Sequence, residues 1–205
     1  MKLIVGTDST WSLRTWMCAQ LANIDFETQV IHLGRPGYRE VLKEYSNTGL
    51  VPVLINNNLE IHDSLAITEY FNELSEGALF PKQRHERALA RSLCSEMHAG
   101  FSHLRAACPF SLDALPPLQS INDNLSQELQ RLEAIFNAAQ TPFMFESASA
   151  VDAFYAILAF RLNSYGITFN GKAGAYQQHL LEWPLLKQAI VAAKVWKEAP
   201  HTMNP

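Results

Sequence analysis

The chain has 205 residues, 48% of them hydrophobic and 18% charged, with a formal net charge of −4. That is ample apolar material for packed cores in one large or two small domains, and it excludes a disordered chain. A negative balance without any basic run argues against nucleic acid or an anionic membrane surface as partner, and no apolar stretch approaches the roughly 18 residues that span a bilayer.

Lys2 to Gly6 reads as a short strand and Thr7 to Thr10 as a polar break. The run Met1-Lys2-Leu3-Ile4-Val5-Gly6 is too short and too soon interrupted for a signal peptide, so a cytosolic location is expected. From Trp11 onward Leu13, Trp16, Met17, Leu21 and Ala22 keep a helical spacing. A second strand follows at Glu27 to Leu33, then a Gly34-Arg35-Pro36-Gly37 break, a short helix from Tyr38 to Tyr45 and a loop at Asn47-Thr48-Gly49. Pro52 cannot donate to a central ladder and so opens the strand Val53 to Ile55. If the Val51–Pro52 bond is cis, the bend offers the Val51 backbone to whatever lies alongside. A hairpin at Asn56-Asn57-Asn58 leads to Leu59-Glu60-Ile61, and Asp63 or Ser64 caps a helix running to about Leu74. The order is βαβαββα.

Gly77-Ala78-Leu79-Phe80-Pro81-Lys82 interrupts this pattern, and everything beyond it reads as helix. The expected organisation is residues 1–77, a linker at 78–83, and an all-helical domain over 84–205. Arg84 to Arg105 is expected as one long amphipathic helix and Leu118 to Ala139 as another. Ser149 and Asp152 form a capping-box variant ahead of Phe154 to Phe160, a body apolar on all sides that belongs in the domain centre. Tyr176 to Leu181 and Pro184 to Val195 complete the helices.

These features together resemble a cytosolic glutathione transferase over nearly the whole chain. They are the thioredoxin-like βαβαββα order, the Val-Pro strand start, the Asp-Ser helix cap, the Leu-Phe-Pro linker and the Ser-x-x-Asp of an all-helical second domain. The segments Ser9-Thr10-Trp11-Ser12-Leu13-Arg14, Glu96-Met97-His98-Ala99-Gly100-Phe101 and Tyr165-Gly166-Ile167 are similar to bacterial, serine-type members of that family.

The resemblance implies glutathione as co-substrate, with no metal. The chemistry asks for a thiolate from a thiol of pKa near 8.5. Lowering that pKa by about two units favours the anion by roughly 2.7 kcal/mol. A hydroxyl donor and the positive end of a helix supply energies of that size. Ser9, Thr10 and Ser12 are the hydroxyls at the start of the first helix; by family position Ser9 matches the catalytic serine, with Thr10 next and Ser12 facing into the helix. Caps of the helix at Trp11 account equally for at least two of the three. Cysteine-type members carry a thiol in this loop. Here Cys18 lies two turns into the helix, and Cys18, Cys94 and Cys108 form no metal spacing, so disulfide chemistry is disfavoured.

The resemblance also places glutathione's cysteinyl unit on the Val51 backbone at the Pro52 bend. It places the γ-glutamyl end on Asp63 and Ser64, a pair that serves equally as a plain helix cap. Leu50 departs from the Gln or Lys that often meets the glycyl carboxylate, leaving Arg35, Arg39 or Lys43 as replacements. Glu96, His98, Phe101 and Arg105 share or adjoin one face of the expected long helix. That face would border the pocket for a small apolar electrophile, with Trp11, His98, Phe101 and Phe110 around it. Ser149 and Asp152 read as structural. A homodimer is implied. Other readings are a glutathione-dependent isomerase of the maleylacetoacetate kind and a non-catalytic adaptor that binds proteins through the same fold.

Overall fold

The computed structural model describes residues 1–199. Four strands, β1 (Lys2–Gly6), β2 (Glu27–Ile31), β3 (Val53–Asn56) and β4 (Leu59–His62), form a sheet in the order β2-β1-β3-β4. β1 pairs parallel with β2 and antiparallel with β3, which pairs antiparallel with β4. A parallel pair needs a crossover, and α1 (Thr10–Leu21) supplies it. With α2 (Tyr38–Lys43) before β3 and α3 (Ser64–Leu74) after β4, the order is the expected βαβαββα of a thioredoxin-like unit.

β1 is buried on both faces. Leu3 and Val5 join Leu13, Met17, Ile67 and Phe71 in the main core, while Ile4 packs with Ile31, Leu42 and Val53 on the other side. Each such side chain contributes about 1.5–3 kcal/mol by leaving water. α1 touches α3, α7 and α9 as well as β1, so it is enclosed on several sides and positions its first turn rigidly.

The helical region comprises α4 (Arg84–Ala99), α5 (Ser102–Ala107), α6 (Asp123–Asn137), α7 (Ala150–Ser164), α8 (Gly171–Glu182) and α9 (Pro184–Glu198). The helix expected from Arg84 to Arg105 is broken. Gly100 turns extended after its N–H donates to the Glu96 carbonyl, and a Cβ there would stand 2.7 Å from that oxygen. Phe101 then adopts φ 58°, left-handed backbone that an L residue rarely visits, and is buried in the core. The second expected helix is shorter, because Leu118 donates its N–H to the Tyr165 carbonyl and Asn122 caps α6 through the Leu125 N–H at 2.9 Å. α8 is longer than the Tyr176 to Leu181 core of its apolar pattern, and β2 and α2 stop at Ile31 and Lys43, two residues short of expectation.

α7 lies at the centre, with every residue from Ala150 to Ala159 buried. Asp152 in its first turn accepts from the Ser149 N–H and hydroxyl, the Met144 N–H and the Tyr176 hydroxyl at 2.7–2.9 Å. No described helix is long and apolar enough to cross a membrane.

Candidate active site at the starts of two helices

The sheet registers bring separated segments to one end of the molecule. Ile4 pairs with Val53, and Val53 with His62; carried past their last pairs, these ladders set Gly6 beside Val51 and Pro52 beside Asp63. Contacts agree. A Cβ on Gly6 would lie 2.6 Å from Leu33 Cδ1 and 2.8 Å from Val51 Cγ2, so Gly6 packs directly against the Val51 side chain and a larger residue would displace both neighbours. Gly6 also donates its N–H to Ser12 Oγ at 3.1 Å and accepts from the Ser9 N–H at 3.3 Å, tying the α1 start to the strand end. The Val51–Pro52 bond is cis, and the Val51 N–H and C=O engage in no backbone hydrogen bond among the described residues.

The three hydroxyls at the α1 start have different environments. Ser12 is fully buried, and its oxygen is taken by Gly6. Ser9 is the N-cap; its Oγ accepts from the Ser12 N–H at 3.2 Å, which leaves the hydroxyl hydrogen to donate outward. Thr10 makes no side-chain hydrogen bond among the described residues and is 8% exposed. Ser9 and Thr10 are therefore the hydroxyls with a donor to spare, at a helix end where backbone N–H groups favour an anion. Cys18 is fully buried and its thiol is pushed up to about 12 by burial, which makes it inert as a nucleophile.

The second helix start is organised by Arg14, a residue the sequence reading passed over. From α1 it reaches Ser64 Oγ with Nε at 3.1 Å and Nη2 at 2.5 Å, and Nη2 also meets His98 Nδ1 at 2.6 Å. A guanidinium only donates, so Nδ1 is an acceptor and the imidazole proton sits on Nε2, 3.1 Å from Asp63 Oδ2. Asp63 caps α3 with its other oxygen, accepting from Leu65 and Ala66, and holds φ 75° to do so. Ser64, Arg14, His98 and Asp63 thus form one chain joining α3, α1 and α4. Burial, and then Arg105, lower the Arg14 pKa to about 9, which keeps it charged at neutral pH. Burial and Arg14 hold His98 below the usual histidine range, against Asp63.

The remaining expected residues scatter. Two guanidinium groups lie near the Trp11 ring, Arg105 at 4.6 Å and Arg14 at 5.7 Å from its centroid. Phe110 packs on Phe160 at 5.9 Å, while Phe101 is a core residue. Glu96, expected near the same face, is drawn away by a two-pronged pair with Arg131 on α6. Leu50 is 69% exposed. Arg35, Arg39 and Lys43 are exposed on the β2 to β3 connection, with Arg39 over the Tyr38 ring. A hollow of about 350 Å³ beside the linker, lined by Phe80, Lys82, Glu86, Phe145 and Ser149, contains none of the site residues.

Residues 8–74 match the family model described as glutathione S-transferase, N-terminal domain. No curated protein sequence matches the chain. Among solved structures it is similar to a glutathione transferase homologue with bound glutathione from a Burkholderia strain, at 20% identity over 94% of this chain and 97% of that one, TM-score 0.69. It is similar to the tau-class glutathione S-transferase of mango, Mangifera indica, at 19% over 96% and 95%, TM-score 0.71. It is also similar to holo maleyl pyruvate isomerase, a bacterial zeta-class glutathione S-transferase, at 19% over 94% and 98%, TM-score 0.72.

Proposed function

Because residues 8–74 match the glutathione S-transferase N-terminal domain, we propose that the chain is a member of that family, binds glutathione at the shared end of β1, β3 and β4 and uses the thiolate as a nucleophile. The observation that carries this reading is the convergence of the Ser9 cap, the unpaired Val51 backbone and the Asp63-Ser64 helix start on one sheet end. In this reading Val51 pairs with the cysteinyl backbone. Ser64 and the first turn of α3 receive the γ-glutamyl carboxylate, with Asp63 facing its ammonium. Arg14 sets the Ser64 hydroxyl and adds positive charge behind it. Ser9 donates to the sulfur, with Thr10 as the alternative donor.

Favouring the thiolate by about two pKa units corresponds to roughly 2.7 kcal/mol, within reach of one charge-assisted hydrogen bond of about 1.5–3 kcal/mol plus the helix end. The thiol proton leaves to solvent. The sulfur lone pair then forms the C–S bond as the leaving group departs with its electron pair. A homodimer belongs to the same reading.

Ser9→Ala tests it: turnover with a chloronitrobenzene acceptor should collapse while glutathione still binds. Full turnover would move the role to Thr10 or to the helix end alone. A glutathione-dependent cis–trans isomerase is the second reading, favoured by the likeness to maleyl pyruvate isomerase. There the C–S bond formed is broken again and glutathione is returned, so product analysis separates the two.

A further inference from the structure

The helical side of this site carries a surplus of positive charge. Arg105, on α5, lies over Trp11, two residues beyond Ser9. Its Nη2 donates to the Met97 and His98 carbonyls at the end of α4, while its Nε is buried without a hydrogen-bond partner among the described residues. Arg161 comes from α7, buried to 7% exposure, and donates to the Cys108 carbonyl at 3.2 Å. Arg14, 5.7 Å from the Trp11 ring centroid, completes the set. Among the described residues none of the three forms a direct ion pair; the pairs present involve Arg91, His98, Arg131 and Lys197.

The acidic groups that reach this cluster do so from a distance and are otherwise engaged. Asp63 caps α3 and holds His98, and the two oxygens of Glu128 accept the His103 and Leu104 N–H groups. The guanidiniums repel one another, Arg105 depressing both Arg14 and Arg161 beyond the effect of burial. Partly buried charges arranged this way are stable only at a cost unless a counter-charge arrives. Apolar surface adjoins the cluster: Trp11 lies under Arg105, and Phe110, two residues beyond the Cys108 carbonyl that Arg161 meets, packs on Phe160 of α7.

We propose that the second substrate of this site is an anion: a molecule with an apolar body against Trp11 and Phe110 and a carboxylate received by Arg105, with Arg161 behind it. Naming it the second substrate rests on the transferase reading; the anion site itself rests on the arginines. Arg105, placed on the helical side and over the α1 start, meets a group that arrives opposite Ser9. In the transferase reading the γ-glutamyl end of glutathione is received at Ser64, the hydroxyl that Arg14 holds.

The test compares 4-chloro-3,5-dinitrobenzoate with the corresponding benzamide, which share a reacting carbon and differ in charge. Binding is measured calorimetrically with S-methylglutathione saturating, so that no reaction occurs and the glutathione site is filled. The wild-type protein should bind the benzoate at least tenfold more tightly. Arg105→Gln should bring the pair to parity, and Arg105→Lys should retain the preference. Both variants keep a donor for the Met97 carbonyl, and the wild-type comparison needs no variant at all.

Equal affinity in the wild type, a preference unchanged in Arg105→Gln, or competitive displacement of the benzoate by S-methylglutathione would each overturn the proposal, the last by showing that the arginines serve glutathione's own carboxylate. Chloride release with free glutathione is scored separately. Preferential benzoate binding without chloride release leaves the anion site standing and removes the transferase reading. Chloride release from both acceptors together with equal binding affinity does the reverse.

Discussion

Two buried polar clusters each include a residue of α7, Asp152 in one and Arg161 in the other, and they are built in opposite ways. Around Asp152 one negative charge meets four donors, all short, from Met144, Ser149 and Tyr176. In the other cluster Arg14 and Arg105 lie near Trp11 and Arg161 meets the Cys108 carbonyl; the three guanidiniums meet mostly neutral oxygens, and Arg105 Nε has no partner among the described residues. The first cluster is closed: nothing can be added to it, and it fixes the central helix. The second is open and carries uncompensated charge beside two helix starts. Buried polar groups left unsatisfied are costly, and a ligand that supplies the missing partner offsets that cost.

The contrast breaks most visibly at Asp152. Asp152→Ala leaves the Tyr176 hydroxyl and two backbone N–H groups without acceptors, and should lower unfolding free energy by more than about 3 kcal/mol in a denaturant melt. Ser9→Ala should do the reverse, reducing conjugation turnover about 100-fold, equivalent to roughly 2.7 kcal/mol. Stability should fall by only about 1 kcal/mol for the lost cap, and calorimetric glutathione affinity should change little. Ser64→Ala should weaken glutathione binding about tenfold, as loss of one charge-assisted contact.

The smallest effect expected is at His98. Its folded-state pKa is lowered by burial and Arg14, so the neutral ring contributes stability that is present above pH 6.5 and lost as pH falls through the depressed folded value. Protonation removes the acceptor for Arg14. Thermal melts from pH 5 to 7.5 should therefore show a dependence that His98→Gln flattens; an identical pH profile in the variant would detach His98 from the network.

The sheet and most helices were legible because their signals are local. Alternating Val53-Leu54-Ile55, the Asn56-Asn57-Asn58 turn and the Ser149-x-x-Asp152 box act within a few residues. The bend at Val51-Pro52 and the Asp63 helix cap were legible for the same reason. Arg14 was not, since its partners Ser64 and His98 lie 50 and 84 positions away, and a lone arginine on a helix reads as a solvated face. The break at Gly100-Phe101 also escaped. The apolar period continues through it, and only the gain from burying Phe101 outweighs a left-handed backbone. His98 was noticed for its helix face, yet both its ring nitrogens are engaged, by Arg14 and by Asp63.

The central claim is that the sheet end between Ser9, Val51 and Ser64 binds glutathione and favours its thiolate. Titrating glutathione into the protein, with ultraviolet detection of bound thiolate from pH 5 to 9, tests it most directly. The account predicts saturable binding with a thiol pKa about two units below the free value near 8.5. No binding at millimolar glutathione, or binding with an unshifted thiol, would contradict it.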